Sequence, residues 1–309
     1  MTTKKHLVIG DLILDRFIYG HANRISAEAP TLVLDVDKEI DMLGGAYNVA
    51  AHIAHLGHQC NFASVVGKDF EDIYPTFNDK FHPNTSLLLL AELERHTSVK
   101  TRLISEYKNT HLLRFDYETV KDISENNQQS IVQFLNNPEE FDAILLIDYK
   151  KGVITKNLAE KVIEIANSKN IPVFVDTKRD DLSWFRNATI IKPNKYEFEK
   201  IRLRYAPDCS MEDACGVICE KLNISNIVIT AGNEGIFAYN IQNKLVHYKA
   251  EKVEAKELSG AGDSVLAVLS YCLSEGYSFE SAVVFANKLA AKFVSSGIQY
   301  RAKKEDLFG

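Results

Sequence analysis

Five short apolar runs, each ending in polar or glycine-bearing residues, constrain this chain more than any other feature. Leu7-Val8-Ile9 runs into Gly10-Asp11, Ala143 to Ile147 into Asp148, and Val173-Phe174-Val175 into Asp176. Thr189 to Ile191 runs into Lys192-Pro193-Asn194, and Ile227-Val228-Ile229 into Thr230-Ala231-Gly232. Apolar runs without polar alternation suit strands buried on both faces. Helical patterns lie between them. Ala46 to Leu56 sets Val49, Ile53 and Leu56 on one stripe and stops at Gly57; Leu158 to Asn167, Met211 to Leu222 and Phe279 to Val294 repeat the pattern. Strand–helix alternation predicts an α/β fold with a largely parallel sheet flanked by helices.

Two segments break the rhythm. Residues 17–37 and 98–117 show partial alternation, as antiparallel strands with one exposed face would, and are expected to form a small β lid outside the main layer. Residues 70–97 carry little pattern, with Leu87 to Leu90 as a candidate strand. No repeat, linker or low-complexity segment divides the chain, so residues 1–309 are expected to form a single domain.

Composition removes several classes of function. The chain has 36 basic and 42 acidic residues, a formal charge of −6, and no Lys/Arg cluster beyond pairs at its ends, so nucleic acid is not an expected partner. No stretch approaches the roughly 18 apolar residues of a membrane span, and the run after Lys5 is too short for a signal peptide. Five cysteines, an odd number with no Cys-x-x-Cys spacing, read as free thiols in a cytoplasmic protein, with no zinc site.

Four motifs carry chemistry. Ser259-Gly260-Ala261-Gly262-Asp263 opens a helical pattern. Free N–H groups at a helix start attract an anion, and glycines let a phosphate come close. Asp263 in that first turn is placed to take a proton from an attacking hydroxyl; the alternative is a helix cap. Gly44-Gly45 precede another helix, with Asn48 in its first turn as a candidate for a sugar hydroxyl, although the glycines could equally serve loop geometry. Asn194 and Glu197 have the spacing of a capping box. Their functional reading is a nucleotide phosphate and its Mg²⁺, with Glu197 acting through water. Asp11, Asp15 and Arg16 follow the first strand, where open α/β sheets bind ligands.

In this order the motifs resemble those of the ribokinase-like (PfkB) carbohydrate kinases, over about residues 7–300. Gly10 to Gly20 and Arg24-Ile25-Ser26-Ala27-Glu28-Ala29-Pro30 look more narrowly like the kinase domain of heptose-7-phosphate kinases, which act in synthesis of the ADP-heptose precursor of lipopolysaccharide. Leu113 to Glu118, Asp148-Tyr149-Lys150-Lys151-Gly152, Asp176-Thr177-Lys178 and Phe285-Ala286-Asn287 extend the match.

The resemblance implies an ATP-dependent kinase that phosphorylates the anomeric hydroxyl of D-glycero-D-manno-heptose 7-phosphate to the 1,7-bisphosphate. Asp263 would be the base, with the Gly260, Ala261, Gly262 and Asp263 amides around the transferring phosphoryl group. Asp11, Asp15, Gly44, Gly45 and Asn48 would hold the sugar. Arg16, Arg102, Arg114, Lys150 and Lys178 are the candidate cations for the existing phosphate. ATP and Mg²⁺ would lie near Asn194, Glu197, Thr230, Gly232, Gly235 and Asn287. The lid, about 17–37 and 98–117, would also join two subunits into a homodimer.

Three departures stand out. Where many members carry Asp-x-Thr, which helps hold a monovalent cation, this chain has Glu257-Leu258-Ser259, which weakens the case for K⁺. Asp176-Thr177-Lys178 replaces Asp-Pro-Lys, and residues 70–97 form a short stretch, so the sugar pocket's wall is expected to differ. Bifunctional relatives append an adenylyltransferase domain, and a chain ending at Gly309 leaves no room for one, so that activity is expected from another protein. The alternatives are a kinase for another sugar or sugar phosphate, or a non-catalytic sugar- or nucleotide-binding protein. A dinucleotide enzyme is disfavoured, because Gly10-Asp11-Leu12 is not a Gly-x-Gly-x-x-Gly turn.

Overall fold

A computed structural model describes residues 3–136, 141–242, 244–254, 259–297 and 300–308. Its strands are β1 (Lys5–Gly10), β2 (Leu12–Ile25), β3 (Leu32–Gly45), β4 (Gln59–Gly67), β5 (Thr85–Glu92), β6 (Ser98–Ser105), β7 (Thr110–Tyr117), β8 (Ala143–Asp148), β9 (Val173–Thr177), β10 (Ile190–Ile191), β11 (Asn226–Thr230), β12 (Ile236–Asn240) and β13 (Lys244–Tyr248). The helices are α1 (Ala46–His55), α2 (Phe70–Ile73), α3 (Glu125–Asn136), α4 (Lys156–Ser168), α5 (Lys195–Tyr205), α6 (Met211–Leu222), α7 (Ala261–Ser274), α8 (Phe279–Ser296) and α9 (Glu305–Phe308).

The main sheet has nine strands in the order β13-β12-β11-β10-β9-β8-β1-β4-β5. From β11 to β5 every pairing is parallel, and β12 and β13 add an antiparallel edge. The two-sided apolar runs explain this placement. Along β1, β8 and β9 the side chains divide by parity: Leu7, Ile9, Ile144, Leu146, Val173 and Val175 enter one core with α3 to α6. Val8, Ala143, Leu145, Ile147 and Phe174 enter the other, with α1, α7 and α8. Strands covered on both faces need no polar side, so they read as continuous hydrophobic runs.

A second sheet, β3-β2-β6-β7, rises from the carboxyl edge of the first. β6 and β7 fall within 98–117, whereas β2 and β3 run from Leu12 to Gly45, wider than 17–37, and one pairing differs from expectation. β2 pairs with β3 and β6 with β7 antiparallel, whereas β2 and β6 are parallel. The reason is topological. β2 follows β1 and β6 follows β5, two strands that run the same way in the main sheet, so both chains leave the same edge in the same direction. The unpatterned stretch 70–97 becomes α2, short 3₁₀ turns and the parallel strand β5, which contains Leu87 to Leu90. Ile25, Leu32, Val36, Leu113 and Tyr117 on the smaller sheet are exposed.

The four expected helices match α1, α4, α6 and α8. Thr155, Asn194, Ser210 and Ser278 cap α4, α5, α6 and α8 through their side chains. Gly45 and Gly260 precede α1 and α7 and supply no side-chain cap, with φ of 59° and 91°. Both positions need the left-handed region that favours glycine. The five cysteines are free thiols, four of them buried. Among the described residues no helix is long and apolar enough to cross a membrane.

Candidate active site

The uncapped starts of α1 and α7 face a cleft between the smaller sheet and the carboxyl ends of the main strands. Its walls include Asp15, Gly44, Gly45, Asn48, Lys100, Arg102, Tyr149, Gly260, Asp263 and Arg301. Strand parity builds one wall. Ile13, Asp15 and Phe17 on β2 share a face with Lys100 and Arg102 on β6, because Asp15 stands beside Lys100 and Phe17 beside Arg102 in register.

Asp263 occupies the deep end, only 6% exposed. It does not cap α7. Its Oδ2 accepts from Asn48 Nδ2 at 2.8 Å and its Oδ1 from the Tyr149 hydroxyl at 3.0 Å. Burial pushes its carboxyl up to about 6, aided by the charge of Asp176 and opposed by Asn48, Lys192 and Tyr149. Such a carboxyl is half ionised near pH 6 and largely the carboxylate at neutrality, as a proton acceptor requires. The glycine beside it is forced: a Cβ on Gly260 would lie 2.8 Å from Asn48 Nδ2, and the residue holds φ of 91°.

Behind the start of α7 lies a charged group that joins the expected Lys178 and Glu197 to two residues given no role from sequence, Asp176 and Lys192. Lys192 Nζ is 2.8 Å from Asp176 Oδ2, and a Cβ on Gly262 would lie 3.2 Å from that ammonium. Lys178 stands 3.6 Å from the other Asp176 oxygen and 2.8 Å from Glu197 Oε1. Burial works against the charge of Lys178, but Asp176 and Glu197 outweigh it and hold the lysine protonated. Uncapped amides beside a buried and a half-buried lysine fit an anion such as a nucleotide phosphate.

The lysine chain leads to the other nucleotide candidates. Asn194 and Glu197 form a complete capping box, with Asn194 Oδ1 accepting from the Glu197 amide and Glu197 Oε2 from the Asn194 amide, both at 2.8 Å. Thr230 bridges to Asn194 at the end of β11, and Gly232 and Gly235 make the turn into β12 with φ of 56° and 98°. Asn287 lies on α8, where its amide donates to the Lys249 carbonyl at 2.8 Å. Both Glu197 oxygens have protein partners. A carboxylate keeps further lone pairs, so a metal-bound water fits there only in company with Lys178.

Several expectations need correction. Asp11 does not reach the cleft. It is 1% exposed, and its carboxylate accepts from the amides of Tyr149, Lys151 and Val153. Burial pushes its carboxyl up to about 6, against the pull of those amides. Arg16 sits on the opposite face of β2 from Asp15, in a two-point ion pair with Asp41. Lys150 is exposed and holds φ of 62° while its amide donates to Asp148. Arg114 pairs with Asp116, and its side chain is 58% exposed. Of the candidate cations only Arg102 lines the cleft, held by Asp15 at 2.6 Å. Gly44 lines it too, so close to Asp15 that an added Cβ would meet Oδ2 at 2.1 Å.

The residues that sequence reasoning did not assign are Lys100, Tyr149, Asp176, Lys192 and Arg301. Alternation on β6 would have paired Lys100 with Arg102; Tyr149, Asp176 and Lys192 stand in motifs at strand ends but were given no role, and nothing local marks Arg301. Glu257 and Leu258, the departure that bears on K⁺, lie outside the described residues.

A family model described as pfkB family carbohydrate kinase matches residues 3–301. "Bifunctional protein HldE" from Geobacter sulfurreducens is 37% identical over 288 residues, 92% of this chain and 58% of that protein. Its namesake from Nitratiruptor is 34% identical over 290 residues, 93% of this chain and 61% of that one. This chain therefore spans about three fifths of the length of these relatives. Phosphofructokinase-2 from Escherichia coli, solved in complex with potassium, superposes with a TM-score of 0.80 at 19% identity, covering 100% of this chain and 97% of that one. Ribokinase from Arabidopsis thaliana, complexed with ribose and ATP, gives 0.73 at 15% identity, covering 100% and 98%. At these identities the two structures speak for the fold.

Proposed function

The chain belongs to the pfkB family of carbohydrate kinases, ATP-dependent enzymes that phosphorylate sugars, and we propose that its acceptor is D-glycero-D-manno-heptose 7-phosphate, phosphorylated at the anomeric hydroxyl. The observation that carries the reading is the cleft itself. A buried carboxylate near its working pKa stands at an uncapped glycine helix start, and Lys100 and Arg102 line the same cleft. That layout suits an acceptor with a hydroxyl at one end and an anion at the other. The heptose assignment is supported by the Asp15 to Pro30 segment and by relatives named HldE.

The steps follow from the positions. Asp15, Gly45 and Asn48 orient the sugar so that one hydroxyl meets Asp263. Asp263 takes that proton as the hydroxyl oxygen forms its bond to the γ-phosphorus of ATP. The bond from phosphorus to the bridging oxygen breaks, and ADP leaves with the electron pair. The amides of Gly260, Ala261, Gly262 and Asp263, with Lys192, neutralise charge on the transferring group. Lys178, Asn194, Glu197, Thr230, Gly232, Gly235 and Asn287 would border the nucleotide. Bound Mg²⁺ would supply charge neutralisation on the phosphates, with Glu197 reaching it through water. The smaller sheet serves as the lid, and its exposed apolar residues favour pairing with a second copy. The five free cysteines fit a reducing cytoplasm.

The test is ADP release from ATP·Mg²⁺ with this heptose phosphate beside free heptose, ribose and fructose 6-phosphate, for the native protein and Asp263→Asn. Turnover confined to the phosphorylated heptose and lost in the variant is expected. Preference for another acceptor overturns the heptose assignment.

A further inference from the structure

Asp263 takes one donor on each oxygen, and the two donors come from different parts of the chain. Asn48 belongs to α1, while Tyr149 belongs to the loop after β8, 114 positions from the aspartate. We infer that Tyr149 is a positioning residue for the reaction, its hydroxyl holding the Asp263 carboxylate in the orientation that meets the acceptor. The inference rests on the reading of Asp263 as the base.

The loop bearing Tyr149 is held much more firmly than a cleft wall requires. Its amide and those of Lys151 and Val153 converge on buried Asp11 at 2.8, 3.2 and 3.1 Å. The preceding Asp148 is held by Thr177 at 2.8 Å and Arg179 at 2.6 Å. The aspartate that reads from sequence as a sugar ligand thus anchors the tyrosine that touches the base. The phenol is also locked as a donor. Burial and the charge of Asp263 raise its pKa well above the ordinary tyrosine value, so it stays protonated wherever Asp263 titrates. Lys178 and Lys100 flank the ring at 5.4 and 6.0 Å from its centroid. If Tyr149 only filled the wall, phenylalanine would serve equally well.

The charged and titratable groups around Asp263 are Asp176 on β9, Lys192 after β10, Lys178 after β9, Arg301 near the C-terminus and Tyr149 itself. Tyr149→Phe removes one oxygen from a half-buried ring and leaves the rest in place. The Asp263 carboxyl is followed by ¹³C NMR on aspartate-labelled, ligand-free protein, its resonance identified by its loss in Asp263→Asn. The expected midpoint is about 6 in the native protein, rising by roughly half to one pH unit in Tyr149→Phe as one favourable hydrogen bond to the anion is lost. With an active acceptor the acid limb of kcat/KM moves up by the same amount, and kcat falls roughly 5- to 30-fold while the acceptor KM holds. An unmoved midpoint, or a rise in KM alone, overturns the inference. The NMR titration needs no acceptor, so failure of the heptose assignment leaves it intact. Wild-type turnover by Asp263→Asn would overturn the base reading and this inference together.

Discussion

Lys192 and Asp176 form a buried ion pair under the start of α7, with Nζ 2.8 Å from Oδ2, the lysine 2% and the aspartate 4% exposed. Burial alone would raise the aspartate's pKa, but Lys192 and then Lys178 outweigh it and hold the carboxyl below its usual range. Lys192→Met leaves that carboxylate buried with only the more distant Lys178, and breaking a buried pair costs roughly 3 kcal/mol. The sign follows from the depressed pKa. Asp176 contributes stability above the unfolded carboxylate range and loses it as pH falls through the lower folded value. Urea melts are therefore expected to show the largest gap between variant and native protein near neutrality, narrowing below about pH 4.

Asp263 has the opposite sign. Its folded pKa of about 6 lies above the ordinary 3.8, so the native state binds the proton more tightly than the unfolded chain. Stability from this group is fully present below the unfolded value and lost as pH rises through the folded one. Asp263→Asn cannot titrate. The Tm of the variant minus that of the native protein is expected to rise between pH 4 and 6 and then level off, while turnover falls by roughly 10²- to 10⁴-fold. Scanning fluorimetry across that range checks the first part. A difference independent of pH would mean that the carboxylate is not buried as described.

How much of this was legible follows from range along the chain. The parallel sheet was legible because a strand buried on both faces has no polar alternation, and α6 was bounded by Ser210 and Asn223, residues suited to helix ends. The parallel pairing of β2 with β6 was not, since it depends on β1 and β5 leaving one edge of the sheet together. Asp263 could be found because its glycines stand beside it in sequence. The role of Asp11 could not, because its partners lie 138 to 142 residues away. Arg16 was legible in principle: period-2 alternation puts it and Asp15 on opposite faces, so both cannot face one sugar.

Lys100 is a half-buried lysine in the lining of the cleft, and burial lowers its pKa. Among the described residues no carboxylate lies within ion-pair distance of its ammonium, whereas neighbouring Arg102 is committed to Asp15. A phosphate on the acceptor would give Lys100 the counter-charge it lacks. Lys100→Met is expected to raise the KM for the phosphorylated acceptor roughly 10- to 100-fold, from the loss of one charge-assisted contact. The KM for ATP should hold, and so should the Tm. A fall in Tm alongside the rise in KM would place the role of Lys100 in the fold of the wall instead.

Glu197 has two roles that a pair of substitutions separates. As the third residue of α5 it closes the capping box through Oε2, and through Oε1 it pairs with Lys178. Glutamine keeps an oxygen that can accept from the Asn194 amide but loses the charge; alanine loses both. If Glu197 serves only the helix, Glu197→Gln should match the native protein in Tm and metal requirement. Glu197→Ala should then cost about 1 kcal/mol. If Glu197 also reaches the nucleotide's divalent cation through water, Glu197→Gln should keep its Tm yet need several-fold more Mg²⁺ for half-maximal turnover. Titrating Mg²⁺ at saturating ATP for both variants decides the matter, and the second outcome is expected, because a helix cap alone gives no reason to hold the second oxygen 2.8 Å from Lys178, which also faces Asp176.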